Sequence, residues 1–332
     1  MPLVTVLMPT YNAEAYLDEA IDSILSQSFS DFEFLIINDG SNDSSLDIIK
    51  SYQLTDNRIK LISRENEGLV RTLNQGVMAA KGRYIVRMDA DDISISNRLE
   101  KLINFMDSHP EVDIAGSFVE GFGDGIKTSV WEFPSDHKAM RVRTIFTVPL
   151  CHGSAIFKSQ LFKEYGLRFD KDFPHAEDYE LFSRVASEVK FGMLPEVLYK
   201  VRYVQSSVSR NADREHKSRK KILSNIFLRT TQNLQLELTS GEKHLHYLLT
   251  TSERMQAQPL NVNEVRLYLL KLLDANKKTN WFDQCFFKAF ITRKYFTVLY
   301  YQLLRHGIVS LRCFFSSLFF EGFWGVLMRK KV

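Results

Sequence analysis

Two kinds of apolar segment alternate along roughly the first 90 residues of the chain. Residues 3–8 form an apolar, β-branched run that Pro9 closes, a pattern that predicts a buried strand. Residues 16–25 place apolar side chains on one helical face, with Asn12 as the expected N-cap. The same patterns predict further strands at residues 32–37, 59–63 and 84–88, a helix through about residue 52 and a helix over residues 68–81.

This alternation predicts the α/β class, with a mainly parallel sheet flanked by helices. Strand–helix repeats of this length favour parallel pairing, because each helix returns the chain to the same end of the sheet. Ligands of such sheets bind beyond the carboxyl ends of the strands. Polar segments occur at all four predicted ends, so we expect a single site at this edge: residues 9–12, Asp39, residues 64–66 and residues 89–92.

Two common phosphate-binding loops are absent from the sequence. The first strand–helix turn, PTYNAEAY, has no glycine and lacks the GxGxxG fingerprint, and no GxxxxGK[ST] loop occurs. The fourth strand ends instead in Asp89, Ala90, Asp91 and Asp92. These carboxylates would repel a polyphosphate unless a divalent cation, Mn²⁺ or Mg²⁺, lay between them. The alternatives are that the acids cap the next helix and that Asp39 only forms a turn.

Composition places the chain among globular proteins. Of its 332 residues, 45% are hydrophobic and 25% are charged, which excludes a disordered, collagen-like or multi-span membrane chain. The net charge of +3 does not by itself indicate nucleic-acid binding. The three cysteines include no CxxC pair and fit a reducing cytosol, and the N-terminus lacks the basic region of a signal peptide.

The second half of the chain is predicted to be helical and to end in a basic, aromatic tail. Apolar faces separated by charged residues from about 213 to 278 predict helices that pair with one another or with a second subunit. Residues 281–332 carry eight Lys/Arg and two Asp/Glu, a net charge of +6. We expect this tail to form an amphipathic helix in the headgroup region of the inner face of the cell membrane. A helix docked on the body, or a dimer interface, is the alternative.

Four segments together resemble glycosyltransferase family 2: VTVLMPTYNAEAYLDEAIDSILSQSF, FEFLIINDGSNDSS, RENEGLVRTLNQGVMAAKGRYIVRMDADD and HAEDYELFSRV. Their order and spacing make the resemblance specific, and it covers roughly residues 1–210. It implies a GT-A fold with a nucleotide-sugar half at about 1–110 and an acceptor half at about 111–210. A helical region at 211–280 and the tail at 281–332 would follow. The implied activity is inverting sugar transfer from a nucleotide sugar in the synthesis of a bacterial polysaccharide or glycolipid.

The resemblance implies roles for residues on the donor side. Pro9 and Tyr11 frame the nucleotide base, and Tyr11 stacks on it. Asp39 accepts a hydrogen bond from the N3–H of uracil, which implies a UDP-sugar. The remaining implied roles are contacts to the base and pyrophosphate for Asn66 and Arg71, a ribose contact for Asp89, coordination of Mn²⁺ or Mg²⁺ by Asp91, and support of that ligand by Asp92.

Asp178 matches the position of the family's catalytic base. A positioned carboxylate can take the proton of an acceptor hydroxyl as that hydroxyl attacks the anomeric carbon. The alternative for Glu177, Asp178 and Glu180 is that acids favour the first turn of a helix, where the helix dipole stabilises negative charge. The resemblance favours the catalytic interpretation for Asp178 and a supporting or capping role for Glu177.

One departure from the family pattern concerns the diphosphate. Family members often carry an Arg-x-His pair near a Ser-x-Ser, and this chain keeps Arg202 and Ser207-Val208-Ser209 but has Val204 in place of the histidine. A valine binds neither a metal nor a phosphate. We therefore expect Arg202 to bind the diphosphate alone, or the metal to have fewer protein ligands.

Three residues outside these motifs have two interpretations each. His152 would reach the acceptor or serve a structural role. Trp131 and Phe133 would lie near the acceptor cleft or in the core.

The expected function is transfer of a sugar from a UDP-sugar to a hydroxyl of a glycan or lipid-linked glycan. A nucleotidyltransferase has a similar acidic site, but its usual glycine-rich, basic N-terminal loop is missing. The alternative from another class is a catalytically silent sugar-nucleotide-binding scaffold in a membrane complex that assembles glycans.

Overall fold

The computed structural model describes residues 1–123, 125, 127–203 and 216–306. These residues fall into two compact units. The sheet unit comprises Met1–Ser135, Leu150–Leu181 and the described part of Glu188–Arg214. The helical unit comprises Asp136–Pro149, Phe182–Ser187 and the described part of Glu215–Val332.

The strands lie in one mixed sheet. In chain order they are β1 Val4–Thr10, β2 Phe32–Asp39, β3 Ile59–Arg64, β4 Tyr84–Arg87, β5 Ile93–Ser94, β6 Ile114–Phe122, β7 Ser129–Trp131, β8 Ile156–Lys158 and β9 Phe191–Arg202. Their spatial order is β3-β2-β1-β4-β8-β6-β9-β5, and β7 pairs with β6.

The helices follow the same numbering. They are α1 Leu17–Leu25, α2 Ser45–Thr55, α3 Leu69–Ala79, α4 Arg98–Ser108, α5 His137–Arg143, α6 Gln160–Lys163, α7 Glu177–Val185, α8 His216–Asn233, α9 Ser240–Leu248, α10 Ser252–Ala257, α11 Val262–Thr279 and α12 Gln284–His306.

The first four strands form the predicted parallel sheet, which confirms the α/β class. β1 is buried along its whole length and pairs in parallel with β2 and β4. Its last residue, Thr10, is level with Asn38 of β2, so the carboxyl ends of these strands meet at one edge. Helix α1 buries one apolar face and begins at Leu17.

Asn12 does not cap that helix, so the N-cap prediction is wrong. Asn12 has a φ of 50° and lies in the turn before α1. Its side-chain oxygen accepts the backbone N–H of Asn42 at 2.9 Å. The turn therefore joins the loops after β1 and β2 at the edge where the site is expected.

The second half of the sheet unit is mixed. β8 runs antiparallel to β4 and β6, whereas β9 runs parallel to β6 and antiparallel to β5. The register between β6 and β9 shifts around Phe118. β9 carries Tyr199 and Arg202 at its carboxyl end, and both side chains belong to the site described below.

The helical unit confirms the predicted helical region after the sheet. Its core is apolar around α11 and α12, where Val265, Leu269, Leu272 and Ile291 are buried. None of the described helices is both long enough and apolar enough to cross a bilayer. Residues 284–306 of the predicted tail form α12, whose apolar side chains lie in this core, and residues 307–332 lie outside the described residues.

Candidate functional site

The carboxyl ends of β2, β1 and β4 bring three polar groups to one edge of the sheet. Pro9 is buried at the end of β1, and Tyr11 follows it with half of its side chain exposed. Asp39 ends β2, and Asp89 follows β4. Since β1 lies between the other two strands, Tyr11 follows the strand that separates Asp39 from the acidic loop.

Asp39 is a buried carboxylate held by donors from one short segment. Its Oδ1 accepts the N–H of Glu67 at 3.0 Å and an ion-paired N–H of Arg64, and its Oδ2 accepts the N–H of Gly68 at 2.9 Å. The side-chain amide of Asn66 donates to the Asp39 carbonyl at 2.9 Å. A carboxylate oxygen accepts about two hydrogen bonds, so Oδ2 can accept one more. The structure thus brings Asp39 and Asn66 together, as the sequence predicts.

Arg64 is a site residue to which the sequence analysis assigned no role. Besides Asp39, its guanidinium donates to Gln75 Oε1, to the Glu65 carbonyl and to Thr72 Oγ1, each at 2.8 Å. These bonds fix the Asp39 carboxylate against α3. Arg71, in the first turn of α3, is 64% exposed and lies 3.6 Å from the Glu67 carboxylate, so it faces solvent.

The acidic loop after β4 is tied to its surroundings through backbone and side chain. Asp89 forms an ion pair with the buried Arg87, and its N–H donates to the Tyr199 hydroxyl at 3.0 Å. Asp92 is buried and accepts hydrogen bonds from the Tyr199 hydroxyl and, at 2.8 Å, from the N–H of Arg202. Asp92 therefore anchors the loop and does not cap α4.

Tyr199 is itself held by a second buried cation that the sequence analysis did not single out. The guanidinium of Arg98 lies 4.5 Å from the centre of the Tyr199 ring and donates to the carbonyls of Arg87 and Gly153 at 2.8 Å each. Burial lowers the pKa of Arg98 to about 10. A Cβ added at Gly153 would lie 2.6 Å from Tyr199 Cε1, so only glycine leaves room for this ring.

The loop concentrates negative charge in a poorly solvated place. Burial, and then the charge of Asp89, raise the pKa of Asp91 to about 6. Burial and both neighbouring carboxylates raise the pKa of Asp92 well above its usual value. Arg87 and Arg202 oppose the shift at Asp91 without cancelling it. The loop therefore favours an added positive charge.

The donor set fits a divalent cation that is shared with a substrate. No group of three or more His, Cys, Asp or Glu side chains that could hold a metal occurs in the part of the chain that the structure describes. Asp91 is partly exposed, whereas Asp89 is paired with Arg87 and Asp92 is buried. A cation here would take one carboxylate from Asp91 and its other oxygen ligands from water and a phosphate, as Mg²⁺ commonly does.

The comparisons with known proteins agree with this architecture. The sequence profile of Glycosyl transferase family 2 matches residues 5–166. An uncharacterized glycosyltransferase of Methanocaldococcus jannaschii, MJ1057, is 37% identical over 208 residues, which are 60% of this chain and 71% of that protein. The chain belongs to glycosyltransferase family 2. An uncharacterized glycosyltransferase of Haemophilus influenzae is 35% identical over 211 residues, which cover 60% of this chain and 65% of that relative.

Solved structures show that this family 2 chain has the GT-A fold. TarS residues 1–349 from S. aureus, in complex with UDP-GlcNAc, align with a TM-score of 0.57 and 19% identity over 86% of this chain and 91% of that one. The mannosyltransferase PcManGT from Pyrobaculum calidifontis, in complex with GDP-Man and Mn²⁺, aligns with a TM-score of 0.55 and 18% identity over 83% and 75% of the two chains.

Arg202 of this family 2 glycosyltransferase lies beside the acidic loop. Its Nε donates to the Asp91 carbonyl at 2.9 Å, and its Nη2 pairs with Glu19. Its guanidinium lies 4.6 Å from the centre of the Tyr16 ring and 4.5 Å from that of Phe122. These contacts support the loop backbone, and the role of a diphosphate ligand stays a prediction. Val204 and residues 207–209 lie outside the described residues.

Asp178 lies in the first turn of α7, in the sheet unit. Its Oδ1 accepts the N–H of Tyr179 at 2.6 Å, and its side chain is partly exposed. Glu177 and Glu180 in the same turn are buried. Of the three acids, Asp178 is therefore the most exposed to solvent.

The three residues with two interpretations differ in their surroundings. His152 is buried, its ring packs near Phe157 and Phe169, and burial holds its pKa well below the usual range. It is a neutral packing residue in this environment. Phe133 is buried in the core, whereas Trp131 stays partly exposed.

Proposed function

We propose that this chain transfers a sugar from a UDP-sugar to a hydroxyl of a glycan or lipid-linked glycan, with inversion at the anomeric carbon and assistance from Mn²⁺ or Mg²⁺. Asp178 acts as the general base. Pro9, Tyr11, Asp39, Asn66, Arg71, Asp89 and Arg202 bind the donor.

The observation that carries this proposal is the hydrogen-bonded environment of Asp39. Its carboxylate is buried and oriented by Arg64 and two backbone N–H groups, with an acceptor position left on Oδ2. Such a group suits a ligand N–H, and uracil N3–H is one. Neighbouring strands are about 4.8 Å apart, so Asp39 and the acidic loop, two strands away, are separated by roughly 10 Å. A nucleoside spans such a distance between its base edge and its phosphates, and Tyr11 would stack on the base between them.

The binding of UDP-GlcNAc by TarS and of GDP-Man by PcManGT supports a nucleotide sugar as donor. The two nucleotide sugars differ in their base, which is uracil in one and guanine in the other. Asp39 favours UDP, because N3 of uracil carries one N–H that matches the one acceptor position.

Different residues act on the acceptor hydroxyl and on the leaving diphosphate. Asp178 takes the proton of the acceptor hydroxyl, and a positioned base of this kind contributes about 10²–10⁴ in rate. Arg202 holds the loop that faces the departing diphosphate. A divalent cation held by Asp91 would neutralise the charge that develops on that diphosphate.

We further propose that the protein is cytoplasmic and peripheral on the inner face of the cell membrane, to which residues 307–332 attach it. These residues carry four Lys/Arg and one Glu among many aromatic side chains. Basic and aromatic side chains favour the headgroup region of anionic bilayers.

Calorimetric titration of UDP and GDP, each with and without Mn²⁺, tests the donor site. We expect metal-dependent binding of UDP, weaker binding of GDP, and loss of the metal dependence in Asp91→Asn. Asp178→Asn is the matched control, since it also removes one carboxylate charge but should bind UDP normally. If neither nucleotide binds the wild-type chain, the proposal is wrong at its first step. If UDP binds but no sugar is transferred, the silent scaffold is the better interpretation.

A further inference from the structure

A cluster of aromatic rings lies beside the acidic loop and has no role in the donor site. Arg202 links the two, because its Nε bonds the Asp91 carbonyl while its guanidinium lies 4.5 Å from the centre of the Phe122 ring. The next residue, Tyr203, donates its N–H to the Phe122 carbonyl at 2.7 Å. The Tyr203 ring meets Trp131 edge to face, with 5.9 Å between ring centres.

The backbone of β6 fixes the position of these rings. Trp131 of β7 pairs with Val119, and Gly121 lies two residues further along the same face of β6. A Cβ added at Gly121 would lie 2.5 Å from Tyr203 Cε2, so the tyrosine ring covers the space that glycine leaves open. Gly123 has a φ of 152° and a Cβ there would lie 2.8 Å from the Tyr203 carbonyl. The ring pair is therefore built into the paired strands of the sheet.

Trp131 and Tyr203 are both partly exposed, although Phe133, two residues after Trp131, is buried. Each ring is thus held by the other and keeps part of its surface exposed. Aromatic faces carry partial negative charge, and indole and phenol also offer a hydrogen-bonding tip. A pyranose ring has the complementary chemistry, since one of its faces presents C–H groups and its rim presents hydroxyls.

We propose that Trp131 and Tyr203 form a subsite for a neutral sugar ring of the acceptor, next to the donor site. This inference rests on the proposed function. The subsite is continuous with the acidic loop through Arg202 and Phe122, so a saccharide stacked there would lie beside the place where the donor sugar is transferred and the nucleoside diphosphate leaves. A protein partner on the same rings is the competing occupant.

Saturation-transfer NMR on the full chain tests the subsite, because it detects millimolar affinities. The chain is loaded with UDP and diamagnetic Mg²⁺, because Mn²⁺ would broaden the saccharide signals, and is mixed with a panel of methyl glycosides and neutral disaccharides. We expect saturation of the C–H protons on one ring face of at least one saccharide. Trp131→Ala should lower the affinity for that saccharide about tenfold, and Trp131→Phe, which keeps a smaller ring, should lower the affinity less.

Val130→Ala is the matched control. Val130 precedes Trp131 on β7, is 50% exposed and points to the opposite face of the strand, so its loss should leave saccharide binding unchanged. Gly121→Ala is a second probe, since it displaces the Tyr203 ring without altering Trp131. It should also lower the affinity for the saccharide. UDP affinity, measured on every variant, should stay within about twofold of wild type and reports that each one is folded.

The outcomes separate the two proposals. If the wild-type chain does not bind UDP, the proposed function fails. If UDP binds but no saccharide in the panel receives saturation, or if Trp131→Ala and Gly121→Ala bind the saccharide as wild type does, the subsite is wrong while the donor site stands. Either of these last results would favour a protein partner on the exposed rings.

Discussion

Replacing Tyr199 with phenylalanine isolates one hydroxyl that holds the acidic loop. The hydroxyl accepts the N–H of Asp89 at 3.0 Å and donates to the buried carboxylate of Asp92. The phenylalanine ring would keep the packing on Arg98 and Gly153, because the substitution removes only the oxygen atom. Any effect of the substitution on nucleotide binding would therefore result from a change in the position of the acidic loop.

The size of the effect follows from the two hydrogen bonds. A neutral hydrogen bond contributes about 1 kcal/mol and one to a charged group about 1.5–3 kcal/mol, so Tyr199→Phe should cost roughly 2–4 kcal/mol of unfolding free energy. For a domain of this size, that lowers Tm by roughly 5–15 °C. Displacement of the loop should weaken UDP binding in the presence of Mn²⁺ about tenfold, or about 1.4 kcal/mol.

Tyr84→Phe is the control for a purely structural effect. Tyr84 is also fully buried in the sheet, and its hydroxyl donates to Asp107 at 2.7 Å, but it contacts none of the site residues named above. Thermal unfolding and calorimetric titration of UDP are measured on both variants. Both should lose stability, and only Tyr199→Phe should lose UDP affinity. The reasoning is refuted if Tyr199→Phe binds UDP as tightly as wild type, or if Tyr84→Phe lowers UDP affinity as much as Tyr199→Phe does.

Three further predictions concern catalysis, pH and the tail. Asp178→Asn should lower turnover by about 10²–10⁴ with UDP affinity retained, measured as UDP release with acceptor present; a loss below about tenfold would contradict its role as base. His246 is fully buried, burial lowers its pKa to about 3, and its ring nitrogens bond Tyr268 and the Ile145 carbonyl. The unfolded chain therefore binds the proton more readily, and stability should fall as the pH drops from about 6.5 towards 3, by up to about 5 kcal/mol. Denaturant unfolding at about pH 7 and about pH 4.5 checks this, and His246→Gln should show a smaller drop. Removing residues 307–332 should abolish flotation of the protein with anionic liposomes and should not change its flotation with neutral liposomes. A truncated chain that still floats with anionic liposomes would contradict the membrane proposal. The cut falls after α12, because residues of that helix such as Phe287 and Ile291 belong to the core.

The sequence alone was enough to predict the parallel half of the sheet and the edge that carries the candidate site. Local periodicity is enough to find β1 to β4 and their helices, because each element buries its own apolar face. The topology of parallel sheets then brings Tyr11, Asp39 and Asp89 to one edge. The resemblance to the family added proposed roles that spacing alone does not supply, such as that of Asp178 as general base.

The contacts that hold those groups depend on the tertiary structure. Arg64 orients Asp39, and Tyr199 and Arg202 reach the acidic loop from about 110 residues away along the chain. The same holds for Trp131 and Phe133, which are two residues apart: Trp131 meets the Tyr203 ring and stays partly exposed, whereas Phe133 is buried. A side chain's burial and partners depend on which distant strand becomes its neighbour, and no periodicity in its own segment encodes that choice.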